Sequence, residues 1–386
     1  MKQSSSNVLL GLDDRFIRTG FLGDVFPIYI ERLTAARVDH HDSFPPHFEL
    51  NDHSTGGEQF EILLNGVKDN KVLKKVLQYY QQDRNRWLSF NGMTDLELKS
   101  ILSRAFKKGL CISPNDTKVV VIDHGFSVNE RVRITKVLLK GLGVKSVSWY
   151  RESILLSLST TSRNSLSVQL KWNSFIVTSV FDLREVQSNE VFNEFSGLSF
   201  HYFVLEKLLE MNDHDVNELL TSKSRFNIIE KFISTFYVRP EGENTTDTGL
   251  FALTDSVTVP NRLRCEIVEK MYFGYKITRL ISDHLKRLPI DLRSVMLKNI
   301  VISGELSFLP GFKARVLQEL RVLFENTKKA DDIKCVNSVG SWAGCSLYCN
   351  LLTKLQLAEF ISENEITDST LRKASQTRTA DIALFS

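Results

Sequence analysis

The chain has 386 residues, 42% hydrophobic and 25% charged, enough for two ordinary domains or one large two-lobed fold with a sizeable core. Its formal net charge is +3 with acids and bases interspersed, which gives no support for binding to nucleic acid or a membrane surface. No apolar run approaches a bilayer span, Val8-Leu9-Leu10 is too short for a signal core, and five irregularly spaced cysteines fit reduced thiols in the cytosol or nucleus.

In chain order, Val8 to Leu12 predicts a strand and Ile17 to Phe21 its hairpin partner, around the turn Asp13-Asp14-Arg15-Phe16. Residues 38 to 57 are rich in His, Asp, Pro and Ser and predict a loop. Val72 to Tyr80 and Asp95 to Phe106 carry apolar residues at helical spacing. Val119 to Ile122 is a buried-type strand, followed by a helix from about Asn129 to Leu139, a short strand at Val147 and a helix ending Leu155 to Leu158. Ser165 to Asp182 predicts a second hairpin. Helices are expected over Gly197 to Met211 and Asn227 to Phe236, with a Gly/Asn/Thr/Asp loop from Pro240 to Gly249.

The most informative stretch is Leu288 to Arg321, LPIDLRSVMLKNIVISGELSFLPGFKARVLQELR. It predicts an amphipathic segment, a short strand over Asn299 to Ile302, a turn at Ser303-Gly304, and a helix opened by Leu309-Pro310-Gly311-Phe312. No internal repeat of solenoid or propeller period is present.

Several constellations have ordinary readings. His40, His41, His47 and His53 with Asp39, Asp42 and Asp52 surround Pro45-Pro46, which favours a solvated loop over a zinc site. Cys345 and Cys349 share a helical face, with Cys335 upstream, and read as buried apolar thiols without a CxxC pair. No G-x-S-x-G elbow supports a serine triad. Phe192, Phe195, Phe200 and Phe203 read as core, or as a subunit contact. Lys71 to Lys75 and Arg84 to Arg86 read as a solvated helix face.

The Leu288 to Arg321 string resembles the third nucleotide-contacting motif of actin and the actin-related proteins. Arg18-Thr19-Gly20-Phe21-Leu22-Gly23-Asp24 is similar to the family's KAGFAGD, Cys265-Glu266 and the residues before it to GNERFRCPE, and Ser341 to Leu347 to VWIGGSIL. The resemblance runs from Val8 to about Asp368 and is weak over 36 to 116 and 183 to 256. It implies an α/β actin-like fold (the actin/hexokinase superfold), two lobes each with a mixed sheet flanked by helices around a central cleft. The expected divisions are 1–160 for the first lobe, with a divergent insertion at about 36–116, 161–340 for the second, and 341–386 for C-terminal helices returning to the first lobe plus a mobile tail. Phe360 to Ile366 would form one of those helices.

The resemblance also marks where an actin-type nucleotide would be held, and where this chain departs. At the first hairpin tip, Gly11 stands at a metal-side Asp position, and Asp13, Asp14 and Arg15 stand in a tip that needs Ser and Gly. Asp14 would oppose phosphate, and Arg15 could attract it. At the second tip, Gln169 replaces a metal-side Asp and Lys171-Trp172-Asn173 retains no glycine. The third loop keeps Gly304 but adds Glu305, and Phe232-Ile233 replace a Lys-Glu pair that contacts base and ribose. The water-positioning Gln falls near Ser153 and the assisting His near Ile176. These changes imply no catalysis, no metal and no functional cofactor, with ATP as a purely structural ligand the alternative.

Within the family, PIDxR followed by PGFxxRxxxELR is most like the actin-related branch at dynactin's pointed end. That implies a non-catalytic subunit in cytoplasm and cytoskeleton, at microtubules, spindle pole or cortex. Its partners would be the actin-related protein 1 filament, dynamitin and other pointed-end and shoulder subunits, and indirectly dynein. The alternative is an actin-related subunit of a nuclear chromatin-remodelling complex.

Overall fold

The computed structural model describes residues 6–33, 93–186, 190–211, 213–221, 225–240, 242, 248–325, 330–354 and 365–371. The expected 38–57 loop, the 72–80 helix, the basic stretches at 71–75 and 84–86, most of the 240–249 loop, residues 360–364 and the tail beyond 371 lie outside the described residues.

Strands follow the order β1 (Ser6–Leu12), β2 (Phe16–Phe21), β3 (Tyr29–Arg32), β4 (Thr117–Asp123), β5 (Ser146–Arg151), β6 (Ser165–Leu170), β7 (Phe175–Phe181), β8 (Arg184–Glu185), β9 (Glu190–Phe192), β10 (Leu250–Ala252), β11 (Thr258–Pro260) and β12 (Ile300–Gly304). Helices are α1 (Asp95–Arg104), α2 (Val128–Lys136), α3 (Glu152–Leu158), α4 (Gly197–Leu209), α5 (His214–Thr221), α6 (Arg225–Ile233), α7 (Leu263–Tyr272), α8 (Lys276–Arg287), α9 (Ile290–Leu297), α10 (Phe312–Leu323) and α11 (Gly340–Lys354). Two compact units result. One takes the described residues up to 162 and from 339 onward; the other takes 163–338.

The first unit is built on a mixed sheet of order β3-β2-β1-β4-β5, with β1 antiparallel to β2 and parallel to β4. Its central strands are covered on both faces, so they read as continuous apolar runs. The alternation of β1 still sorts the faces. Val8, Leu10 and Leu12 join Leu98, Leu102, Ile134 and Leu138 from α1, α2 and the turn that extends α2. Leu9 joins Val120 and Ile122 against Leu155, Trp342, Cys345 and Cys349 on the other face. The cysteines therefore pack as apolar residues, and burial pushes the Cys345 thiol well above its usual range. Helices α1 and α2 begin with capping boxes, Thr94 with Glu97 and Ser127 with Glu130. Helices α3 and α11 cross closely at Gly344, where a Cβ would stand 2.2 Å from the Leu155 carbonyl oxygen.

The expected helix at Phe360 to Ile366 is corrected at its C-terminal end. Ile366 is extended and pairs with Val147, its N–H donating at 2.8 Å and its carbonyl accepting at 3.0 Å. Strand β5 lies at the edge of its sheet, and these bonds satisfy backbone groups that a helix would leave unmet. Ile366 and Leu371 are both buried beside it. A chain ending at Leu371 keeps these contacts, whereas one ending at Asn364 loses two buried apolar side chains. The shorter form is expected to be less stable by roughly 3 kcal/mol or more, measured as the difference between the two truncations in thermal or urea unfolding.

The second unit holds a mixed sheet of order β12-β6-β7-β8, with β9 also paired to β7. Its core is aromatic: Phe200, Phe232, Phe236, Tyr272, Phe273 and Phe312 are all fully buried. Phe192, Phe195 and Phe203 are partly buried and pack against this core, so the cluster is part of the fold.

The long motif has a structural explanation residue by residue. Pro289 opens α9, and Arg293 donates to the carbonyls of Leu288 and Lys286, tying the end of α8 to α9. Gly311 lies at φ +83°, with a Cβ position 2.1 Å from the Val238 oxygen, so only glycine fits. Arg315 donates to Glu319 at 3.2 Å and pairs with Glu269. Glu319, with no exposed surface, accepts from the backbone N–H of Gly274 and Tyr275 and from the Thr278 hydroxyl. It thereby anchors the start of α8.

Candidate functional site

Three loops were expected to face phosphate, and the structure shows what occupies each. At the β1–β2 tip, Asp13 turns its carboxylate inward. Its Oδ1 accepts the N–H of Arg15 at 2.8 Å and of Phe16 at 2.7 Å, and its Oδ2 pairs with Arg18. Two of the amides that a phosphate nest would present are bound to the tip's own carboxylate. Arg15 does not reach outward for an anion: it is buried, with its guanidinium 5.5 Å from the Phe16 ring. Gly11 lies in mid-strand opposite Arg18 and Ile122, and the Trp342 ring stands 3.7 Å from where its Cβ would be.

At the β6–β7 tip, the Lys171 N–H donates to the Ser174 carbonyl, closing a tight turn. The turn then points carbonyls at α4. Gly197 N–H donates to Lys171 O at 2.9 Å and Leu198 N–H to Trp172 O at 2.8 Å. Ser199 N–H donates to the Ser196 hydroxyl, and Phe200 N–H to the Ser196 carbonyl. All four leading amides of α4 are thus satisfied from within the chain, and an anion has no donor there. Trp172 is only 4% exposed, its ring packed on Gly197 and edge-to-face with His201 at 4.8 Å. Gln169 is buried and donates to the Ser167 hydroxyl.

In the third loop, Gly304 has φ +98° and a Cβ position 2.1 Å from the Leu170 oxygen. Its glycine is required by the approach of β12 to β6, whatever the loop binds. Glu305 is half-buried, with Oε2 3.5 Å from the Cβ position of Gly197. It lies at the first turn of α4, where the helix dipole favours a carboxylate. Its charge also adds to burial in raising the Tyr272 hydroxyl far above its usual value. Phe232 is fully buried, 4.7 Å edge-to-face from Phe236, and belongs to the core.

The positions marked for hydrolysis are Ser153, buried in α3, and Ile176, buried in β7. Next to Ser153, Glu152 pairs with His124 Nδ1 at 2.9 Å and accepts from the Ser341 hydroxyl at 3.2 Å. Sequence reading missed this pair, because His124 and Glu152 are far apart in the chain and meet only at the carboxyl ends of β4 and β5. It also gave no role to Trp172, although a large ring at a hairpin tip signals a covered tip. Among the described residues no group of three potential metal ligands comes together, and no helix is long and apolar enough to cross a membrane. The residues at these loops fit a Mg-nucleotide poorly, since the Arg15 and Phe16 amides of the first tip and the Lys171 amide of the second are bonded internally and Glu305 adds a carboxylate at the third.

The actin family profile matches residues 214–365 of this chain. Actin-related protein 4 of Gibberella zeae is 25% identical over 182 residues, covering 44% of this chain and 38% of that protein. The chain therefore matches well under half the length of that relative. Two mixed sheets flanked by helices, together with the family match, give the chain an α/β actin-like fold.

Proposed function

We propose that this chain is a non-catalytic actin-related subunit that caps an actin-like filament as part of dynactin's pointed end. It binds the actin-related protein 1 filament through one face and carries other pointed-end subunits, in the cytoplasm and at microtubules, spindle pole or cortex. The observation that carries the non-catalytic part is the β6–β7 tip, whose Lys171 and Trp172 carbonyls occupy the first amides of α4 while Trp172 is buried on Gly197. The PIDxR and PGFxxRxxxELR strings support the dynactin branch. A cap needs a heterologous contact that is used once and not repeated.

A second reading is an actin-related subunit of a nuclear chromatin-remodelling complex. The similarity to actin-related protein 4 of Gibberella zeae is the observation that keeps this reading beside the cap. Native co-purification separates the two: actin-related protein 1 and dynamitin support the cap, and remodelling subunits overturn it.

The purified chain is expected to release no phosphate from Mg-ATP above background in a steady-state assay. Saturating Mg-ATP is expected to leave the melting temperature unchanged, where a ligand at one hundred times its Kd adds about 2.7 kcal/mol. Turnover, or a shift of several degrees, would show that the internal bonds of the tips give way to nucleotide.

A further inference from the structure

The edge of the second unit's sheet is closed by very short strands. Strand β7 meets β8 over Val180–Phe181 and β9 over Phe175–Val177. Strand β9 is also held from the side. Glu190 Oε1 lies 3.0 Å from His284 Nδ1 and 3.0 Å from an Arg287 nitrogen, both on α8. The other ring nitrogen, Nε2, is 2.9 Å from the Ser179 hydroxyl of β7. One imidazole therefore ties three elements together.

We propose that Ser179, His284 and Glu190 form a proton-sensitive latch that fastens β9 to β7 and releases it on acidification. An ionised Glu190 only accepts, so Nδ1 carries the hydrogen and Nε2 accepts from Ser179. The imidazole is then neutral and has no exposed surface. The spacing resembles a catalytic relay, but Ser179 is completely buried, so no substrate reaches it. The arrangement suits holding rather than reacting.

The charges acting on the ring, among the described residues, are Glu190 from β9 and Arg287 from α8 itself. Burial disfavours the imidazolium most, Glu190 opposes this, and Arg287 adds to it; the net effect lowers the histidine below its ordinary value of 6.5. Displacing β9 would open His284 to water and restore ordinary proton affinity. The displaced form thus binds a proton more readily than the latched form. Linkage gives the sign: the latch contributes fully above the ordinary histidine range and is lost as pH falls through the lowered value. Release bares the backbone of β7, an edge able to pair with another strand.

Hydrogen exchange on the full chain tests this. From about pH 7.5 to about pH 5.5, exchange over Phe175–Val177 and Glu190–Phe192, corrected for intrinsic pH dependence, should accelerate. The limit for one linked proton is about tenfold per pH unit. Peptides of β6 and β12 should stay protected. His284→Gln should exchange faster at β9 at every pH and lose the acid response. Should that variant not fold, Glu190→Gln decides. It keeps an acceptor for Nδ1–H but removes the attraction for imidazolium, so the acid response should begin in the same range and continue to lower pH. Exchange at β9 that ignores pH in the unmodified chain overturns the latch, as does an equal rise in β6 and β12. An acid response in Glu190→Gln that levels off at the same pH as in the unmodified chain overturns it too.

Discussion

Glu319→Ala is expected to destabilise the second unit by about 3–5 kcal/mol, the range for removing one partner of a buried ion pair. Glu319 has no exposed surface and takes four hydrogen bonds, from Arg315, Thr278 and the backbone of Gly274 and Tyr275. Alanine leaves those donors buried, and Arg315, only 8% exposed, keeps Glu269 at 3.6 Å as its remaining carboxylate. The substitution also frees the left-handed turn at Tyr275, φ +65°, which starts α8. At about 2–4 °C per kcal/mol for a unit of this size, the melting midpoint should fall on the order of 10 °C. Glu319→Gln keeps one acceptor and should fall by less. A loss below about 1 kcal/mol in urea unfolding of the alanine variant would mean that these bonds are not what fixes α8.

That residue shows what the sequence made legible and what it did not. The R-x-x-x-E spacing of Arg315 and Glu319 is visible as a helical i,i+4 pair. Its targets, Gly274, Tyr275 and Thr278, are more than 40 residues away, and no local pattern signals them. The same division holds elsewhere. Strands β1, β2, β4, β6 and β7 were legible because apolar runs between turn residues leave few alternatives. The helix ending Leu155 to Leu158 and the Gly311 start of α10 were legible from period and punctuation. Ile366 was misread because a short apolar-polar stretch fits helix and strand alike, and the choice is made by the unpaired edge of β5. The loop residues were named from resemblance, but not their occupation. That Asp13 closes its own turn is a local Asx feature the sequence does contain. That Glu305 settles beside Gly197, and Trp172 beneath it, depends on the packing of α4 and could not be read from spacing. Glu190, His284 and Ser179 were passed over for the same reason: three elements meet there that share no sequence pattern.

Trp172→Ala is the sharper test of the proposed function. The ring is almost wholly buried, meets His201 edge-to-face and lies against Gly197, where a Cβ would come within 3.1 Å of it. Truncating a tryptophan in such a place removes its transfer energy and leaves a cavity, at a cost of about 3–5 kcal/mol. The backbone carbonyls of residues 171 and 172 remain, so the first amides of α4 stay capped. Two consequences follow from the geometry and differ in kind. Stability should fall by that amount in urea unfolding without ligand. Mg-ATP should not restore it, because vacating the ring's volume supplies neither amide donors nor a metal ligand, and Glu305 still places a carboxylate by Gly197. Trp172→Ala combined with Glu305→Gly removes the carboxylate as well, yet leaves the Lys171 amide and the four leading amides of α4 engaged. If either variant regains stability with Mg-ATP while Mg-AMP has no effect, the ring was a plug over a phosphate site, and the claim that the tip's own hydrogen bonds keep nucleotide out fails. If neither responds, the tip's hydrogen bonds are the barrier, and Trp172 serves the fold of a subunit that works by contact alone.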